Sequence, residues 1–174
     1  RGELHAADND PRRLARLGPR LQRAGVRNVI VHPADRMPDL LQKLEGKADR
    51  VLLDVPCSGS GTWRRNPEAR WRYDPASLEE VVRRQRGLLS DGARLVRPGG
   101  RLVYATCSIL PTENDQQADW FLSHHAEFTE LPLAQAFGGI ITEQRIQSGT
   151  RLALTPYRHG TDGFFAVAFQ RARQ

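Results

Sequence analysis

Cysteine is scarce in this sequence, with two residues, Cys57 and Cys107, among 174. That number excludes a scaffold built on disulfides. Histidine is scarce too, at five residues, and no His/Cys group has the spacing of a metal site. No apolar run approaches the roughly 20 residues that a membrane helix needs. The chain opens Arg1-Gly2-Glu3-Leu4, with no apolar stretch behind a basic start. The expectation is a protein without a secretory leader and with a cytoplasmic location. Lysine is nearly missing: Lys43 and Lys47 are the only two among 26 basic residues. Repeats and low-complexity linkers are absent.

An apolar share of 39% is enough for a core and argues against wholesale disorder. The length fits one domain. The net charge is +6, unevenly spread. Residues 62–101 hold ten basic and five acidic side chains, whereas residues 108–148 hold one basic and six acidic. A polarised surface of this kind fits an acidic polymer on one face. Arginine suits bidentate phosphate contacts and stacking on bases. A GC-rich genome gives the same excess of arginine with no partner at all.

Short apolar runs alternate with amphipathic ones. Strands are predicted over 2–7, 28–32, 50–54, 101–105, 128–131 and 164–169, with β-branched residues such as Val29-Ile30-Val31 at their centres. Helices are predicted over 11–24, 37–44, 77–96 and 112–124. Asp10 and Pro11 suit the start of the first, and Thr112 is a candidate cap of the last. Pro98-Gly99-Gly100 reads as a turn, and residues 132–150 read as loop. This alternation points to a mainly parallel sheet with helices on both faces. Ligands of such sheets sit beyond the carboxyl ends of the strands. Asp8, His32 to Asp35, Asp54 and Thr106-Cys107-Ser108 all occupy such ends.

The segment Asp54-Val55-Pro56-Cys57-Ser58-Gly59-Ser60-Gly61 follows a strand directly. Pro56 stiffens the turn, and the glycines permit sharp bends or close approach of a ligand. Cys107 follows another strand in the same way, so both cysteines lie at equivalent places on two candidate neighbours. A thiolate is suited to conjugate addition on an electron-poor ring. Two other readings stand beside that one: a small buried apolar side chain, and a disulfide, which a cytosolic protein keeps reduced. Asp8 suits a ribose diol or a turn. Asp35 is equally consistent with a loop acid. Asp54, after Val51-Leu52-Leu53, is partly desolvated and needs a partner.

Four stretches now stand together: Asp54-Val55-Pro56-Cys57-Ser58 with Arg64-Arg65-Asn66-Pro67; Gly99-Gly100-Arg101-Leu102-Val103-Tyr104-Ala105-Thr106-Cys107-Ser108; Glu113-Asn114; and Asp162-Gly163-Phe164-Phe165. In this order they resemble the Sun (Fmu) family of S-adenosylmethionine-dependent RNA cytosine-5 methyltransferases, and most of all its branch acting on bacterial small-subunit ribosomal RNA. The resemblance spans nearly the whole chain. It implies a Rossmann-like methyltransferase fold, with Cys107 as nucleophile and Cys57 assisting product release. It further implies that Asp8 binds the cofactor ribose and that Asp35 lies near the adenine. Asp54, with Pro56 beside it, would hold the methionine amino group or the target cytosine. Arg64, Arg65, Arg70 and Trp71, with Trp63, Arg72 and Tyr73, are candidates for holding RNA phosphates and stacking bases. The aromatics among them are also candidates for core beneath a loop.

One part of the family pattern is missing. The glycine-rich cofactor loop and the strand before it precede the Asp8 motif in the family, as does an RNA-binding domain. Residues 1–174 therefore read as a single, truncated catalytic domain whose cofactor loop comes from an upstream segment. The strands ending at Asp8 and Asp54 are expected not to pair with each other. A DNA cytosine-5 or tRNA methyltransferase and a non-catalytic RNA-binding or assembly module are the rival readings. The second cysteine motif, after Tyr104-Ala105, argues against the DNA enzyme.

Overall fold

The computed structural model describes residues 2–71, 74–137 and 149–173, and divides into two compact units, Arg1–Glu45 and Gly46–Gln174. In the first unit strand β1 (Leu4–Ala7) pairs in parallel with β2 (Val29–His32), from Leu4 opposite Val29 to Ala7 opposite His32. Between them the expected single helix is two: α1 (Pro11–Ala15) and α2 (Leu17–Arg23). Pro19 explains the break. It has no N–H for the Ala15 carbonyl, and its ring crowds that position, so it is tolerated only in the first turn of a new helix. Asp10 caps α1 as anticipated, its carboxylate accepting from the Arg12 N–H at 2.8 Å. A turn of 3-10 helix at Ala34–Arg36 leads into α3 (Met37–Leu44), whose Leu40 is buried.

The second unit starts with β3 (Ala48–Asp54), followed by α4 (Glu68–Trp71), the long α5 (Pro75–Leu95) and β4 (Val96–Thr106). Then come α6 (Asp115–His124), β5 (Phe128–Glu130), α7 (Leu133–Phe137), β6 (Arg151–Leu154), α8 (Pro156–His159) and β7 (Phe164–Arg171). Helix α5 begins at the Asp74-Pro75 pair, where the Asp74 carboxylate accepts from the N–H groups of Ala76 and Ser77. The Pro98-Gly99-Gly100 turn is an irregularity inside β4: the step from Ala48 to Arg50 faces the longer step from Val96 to Arg101. Gly99 carries the required positive φ of 74°. Thr112 does not cap α6. Asn114 occupies that position without a side-chain cap.

The strands form two sheets, β1-β2 and β3-β4-β7-β5, with β6 also paired to β7. β1, which precedes Asp8, and β3, which ends at Asp54, belong to different sheets. The parallel pattern holds for β1 with β2 and for β3 with β4. Beyond β4 the sheet turns antiparallel, because β7 runs against β4, β5 and β6. Alternation along the strands builds two cores. Leu102, Tyr104, Phe165, Val167 and Phe169 face one side and meet Leu89 and Ala93 of α5 and Phe121 of α6. Ala105 and Ala166 face the other and meet Leu133 of α7 and Leu152 of β6. Helices α5 and α6 therefore cover one face of this sheet, while the other carries the short α7 at β4 and β7 and leaves Leu52 of β3 exposed; the packing holds two adjacent strand ends in place.

Candidate active site

Because β3 and β4 are parallel neighbours, with Asp54 opposite Ala105, the loops that leave them emerge side by side. Cys57 and Cys107 sit in those loops. Their sulfurs are 3.3 Å apart, and both thiols are free and half-buried. The backbone locks this approach. The Gly61 N–H donates to the Cys107 carbonyl at 2.9 Å, and Gly163 N–H donates to the Gly61 carbonyl at 2.8 Å. Gly61 and Gly163 have no room for side chains: a Cβ on Gly61 would lie 2.3 Å from the Gly163 carbonyl oxygen. The Asp162-Gly163-Phe164-Phe165 motif is thereby pinned to the Cys57 loop.

Polar side chains fill the space beneath the sulfurs. Glu113 is fully buried, with Gln85 of α5, Ser60 and Ser108 buried around it. Its carboxylate accepts from Ser58 N–H (2.7 Å), Ser58 Oγ (2.6 Å), Ser108 Oγ (2.5 Å) and Gln85 Nε2 (3.2 Å). Ser60 Oγ lies 2.9 Å from Ser108 Oγ and accepts from Ile109 N–H at 3.0 Å. Next to Glu113, Asn114 accepts from Thr106 Oγ1 at 2.7 Å and donates to the Ser108 carbonyl at 2.9 Å. Glu113-Asn114 stands in the sequence as a motif with no evident role, and nothing in the pattern of α5 marks Gln85 as functional. The signal was the serine beside each cysteine: buried hydroxyls require partners.

The two sulfurs are within hydrogen-bond reach of each other, and that contact sets their acidity. A hydrogen bond from the Cys57 thiol stabilises negative charge on Cys107 and lowers its pKa to about 7, against burial and the charges of Asp54 and Glu113. The same hydrogen bond, with burial, pushes the Cys57 thiol up. Cys107 is therefore the sulfur that ionises first. Its alkylation by iodoacetamide is expected to rise with pH through a midpoint near 7. In Cys57→Ala the donor is lost, and the midpoint is expected to move up toward the ordinary thiol value of about 8.5. An unchanged midpoint in that variant would remove Cys57 as the cause.

The other anticipated residues lie as follows. Asp54 ends β3, is exposed, and is close enough for its charge to act on Cys107. Pro56 is exposed, and its carbonyl accepts from Gln85 Nε2 at 2.9 Å. In the first unit Asp8 ends β1 and Asp35 follows β2, so both lie beyond the carboxyl ends of adjacent parallel strands. One Asp8 oxygen accepts from Asp10 N–H at 2.8 Å. Arg64 and Arg65 are exposed but already engaged: both pair with Asp162, Arg64 at 3.6 Å. Arg70 is exposed on α4, and Trp71 is 86% exposed, which excludes it from the core. Arg72 and Tyr73 lie outside the described residues. Among the described residues no group of His, Cys, Asp or Glu is arranged to hold a metal ion, and no helix is long and apolar enough to cross a membrane.

Comparison with known proteins places the chain in a family. The family model described as 16S rRNA methyltransferase RsmB/F matches residues 1–170. The probable ribosomal RNA small subunit methyltransferase B of Synechocystis sp. is 36% identical over 98% of this chain. The ribosomal RNA small subunit methyltransferase B of Shewanella oneidensis is 34% identical over 98%. The chain spans only 38% of the length of each. Among solved structures, NSun6 from Pyrococcus horikoshii with SFG superposes on all of this chain with a TM-score of 0.80 and 26% identity, over 42% of its own length. A methyltransferase homologue from the same organism gives a TM-score of 0.76 and 29% identity, over 98% of this chain and 53% of its own. The fold is thus the Rossmann-like one of S-adenosylmethionine-dependent methyltransferases. On the match over nearly its full length, the chain belongs to the RsmB/F family of 16S rRNA methyltransferases.

Proposed function

We propose that this chain carries the catalytic centre of an enzyme that methylates C5 of cytosine in RNA, most specifically small-subunit ribosomal RNA, through a transient bond between Cys107 Sγ and C6 of the base. The observation that supports this reading best is the pair of free thiols 3.3 Å apart at the ends of two parallel strands. S-adenosylmethionine, when bound, supplies an electrophilic methyl group. The residues present fit it: Asp8 and Asp35 stand beyond adjacent strand ends, and the Asp8 oxygen that does not accept from Asp10 N–H is held only by the exposed Arg13 guanidinium at 3.8 Å, a long contact that a ribose diol can displace. Asp8→Ala is expected to weaken S-adenosylmethionine binding about 10- to 100-fold, the worth of hydrogen bonds to a charged group. Equilibrium binding of labelled cofactor measures it, and wild-type affinity in the variant would take Asp8 out of the site.

Cytosine C5 is a poor nucleophile. Addition of the Cys107 thiolate at C6 breaks the ring conjugation and makes C5 enamine-like, able to accept a methyl group. Asp54 favours the adduct by accepting from the exocyclic amine, or by sharing the proton that N3 takes up as thiolate addition sends charge onto it. Loss of the C5 proton to a base then lets the Cys107–C6 electron pair return to sulfur, restoring the ring. Cys57, within hydrogen-bond reach of Cys107, assists this elimination. The base must leave its stack to reach the thiol. Exposed Arg64, Arg65, Arg70 and Trp71 are the side chains offered to the RNA, with Asp162 presenting the first two. β3 is hydrogen-bonded to β4 on one side only among the described residues, and Leu52 there is 70% exposed. That edge suits the strand that carries the family's glycine-rich loop, which an upstream segment would supply. The test is methyl transfer to RNA and to DNA of one sequence, with nucleosides of the product identified by mass. 5-Methylcytidine from RNA alone is expected. A methyl group on a nitrogen or on DNA contradicts the proposal.

A further inference from the structure

Glu113 is a buried acid that the methylation chemistry does not use. All four of its partners are donors, and they come from three parts of the chain: the Cys57 loop, the Cys107 loop and α5. A carboxylate has about four acceptor sites, so the ionised form is fully satisfied here. The serine hydrogens then follow a single direction. Ser58 and Ser108 both point their hydrogens at Glu113 Oε2, which leaves their oxygens to accept from Ser60 N–H (3.2 Å) and Leu110 N–H (3.0 Å) respectively. Ser60 gives its own hydrogen to Ser108 Oγ. Each serine that donates to Glu113 directly follows a cysteine in sequence. The Glu113 carbonyl accepts from the buried Tyr104 hydroxyl at 2.7 Å, which ties the acid to the sheet.

We propose that Glu113 is the positioning residue of the thiol pair: its carboxylate clamps Ser58 to Ser108 and so sets the distance between Cys57 and Cys107. This rests on reading the two cysteines as a working pair, and its test reads their proximity without RNA or methyl transfer. Diamide oxidises two adjacent thiols to a disulfide: the sulfurs give up two protons and two electrons, which reduce the azo bond to a hydrazine. The rate of Cys57–Cys107 pairing in the protein, followed by peptide mass, reports how often the sulfurs meet.

Glu113→Ala is expected to slow pairing at least tenfold. Ser108→Ala, which cuts only the Cys107 side of the clamp, is expected to slow it severalfold, and it serves if the alanine at 113 prevents folding. Glu113→Gln keeps an acceptor and the chain length, and the serine hydroxyls can turn to meet its amide, so pairing is expected to recover to within about threefold of wild type. The glutamine also removes a negative charge that opposes the Cys107 thiolate, so the alkylation midpoint is expected to fall below its wild-type position. A residue that only stabilises the fold would not give that downward shift alongside restored pairing. In methyl transfer, Glu113→Ala is expected to lower kcat about a hundredfold with little change in KM for RNA. Wild-type pairing rates in folded Glu113→Ala or in Ser108→Ala overturn the clamp and leave the methylation reading standing. Slowed pairing in a protein that methylates no cytosine supports the clamp while the methylation reading fails.

Discussion

Replacing Cys107 by alanine is expected to stop methyl transfer, with a loss of at least about a thousandfold, the scale seen when a covalent nucleophile is removed. Replacing Cys57 by alanine or serine is expected to act differently. If Cys57 assists the elimination that frees the product, its loss leaves the first addition intact and the last step blocked. RNA then remains attached to the protein, and a slower-migrating covalent species accumulates on denaturing gels in the presence of cofactor. The two cysteines are nearly equivalent in geometry: each follows a parallel strand, each is half-buried, and each is the other's neighbour at 3.3 Å. Their difference lies in acidity: the hydrogen bond between them lowers the pKa of Cys107 and raises that of Cys57. The opposite pattern, adducts in the Cys107 variant and inactivity in the Cys57 variant, would exchange their roles.

A methyl group at Gly61 is expected to do nearly as much damage from a distance. Its Cβ would meet the Gly163 carbonyl oxygen at 2.3 Å and the Gly163 Cα at 2.7 Å. Both are backbone atoms, held by the hydrogen bond between the same two residues, so neither can swing away. Gly61→Ala is therefore expected to lift the Asp162–Phe164 segment off the Cys57 loop, at a cost of about 1–3 kcal/mol in stability. Because Gly61 also donates to the Cys107 carbonyl, the thiols shift as well, and a displacement near 1 Å costs roughly a hundredfold in rate. Gly87, in α5 with open space around it, is the control. Gly87→Ala is expected to gain up to about 1 kcal/mol, as for an exposed helix glycine. Urea unfolding and methyl transfer of the two variants give the comparison. A Gly61→Ala protein as stable and active as the Gly87→Ala protein would show that the contact is not restrictive.

The sequence carried the ordering of strands and helices well, for physical reasons. Val29-Ile30-Val31 and Val51-Leu52-Leu53 have the β-branched and apolar density of strands, and the amphipathic stretch 37–44 is helix α3 with the bounds expected. The break at Arg16 was also written there, in Pro19, but periodicity across Leu14, Leu17 and Leu21 hides it. The antiparallel course of β7 was not legible, because a buried strand looks the same from its own residues whichever way its neighbours run. The meeting of the two cysteines at neighbouring strand ends was legible, because cysteine is rare in this chain and each one follows a predicted strand. Glu113 and Gln85 were not. Each is a polar residue on or near a helix, which in a sequence reads as a solvated face. Only the packing of α5 against β3 and β4 brings Gln85 to Glu113, which the loop after β4 carries beneath the two thiols. The exposure of Trp71 likewise depends on what lies above it, which local pattern does not encode.

The proposed reaction depends on a bond between the Cys107 sulfur and C6 of a cytosine. Its most direct measurement is peptide mapping of the trapped complex: Cys57→Ser protein incubated with RNA and S-adenosylmethionine, digested, and the nucleotide-bearing peptide sequenced by mass spectrometry. The expected result is one modified residue, Cys107, carrying a methylated cytidine. A nucleotide attached to any other residue, or complete methylation with no trapped species at any time point, would contradict it.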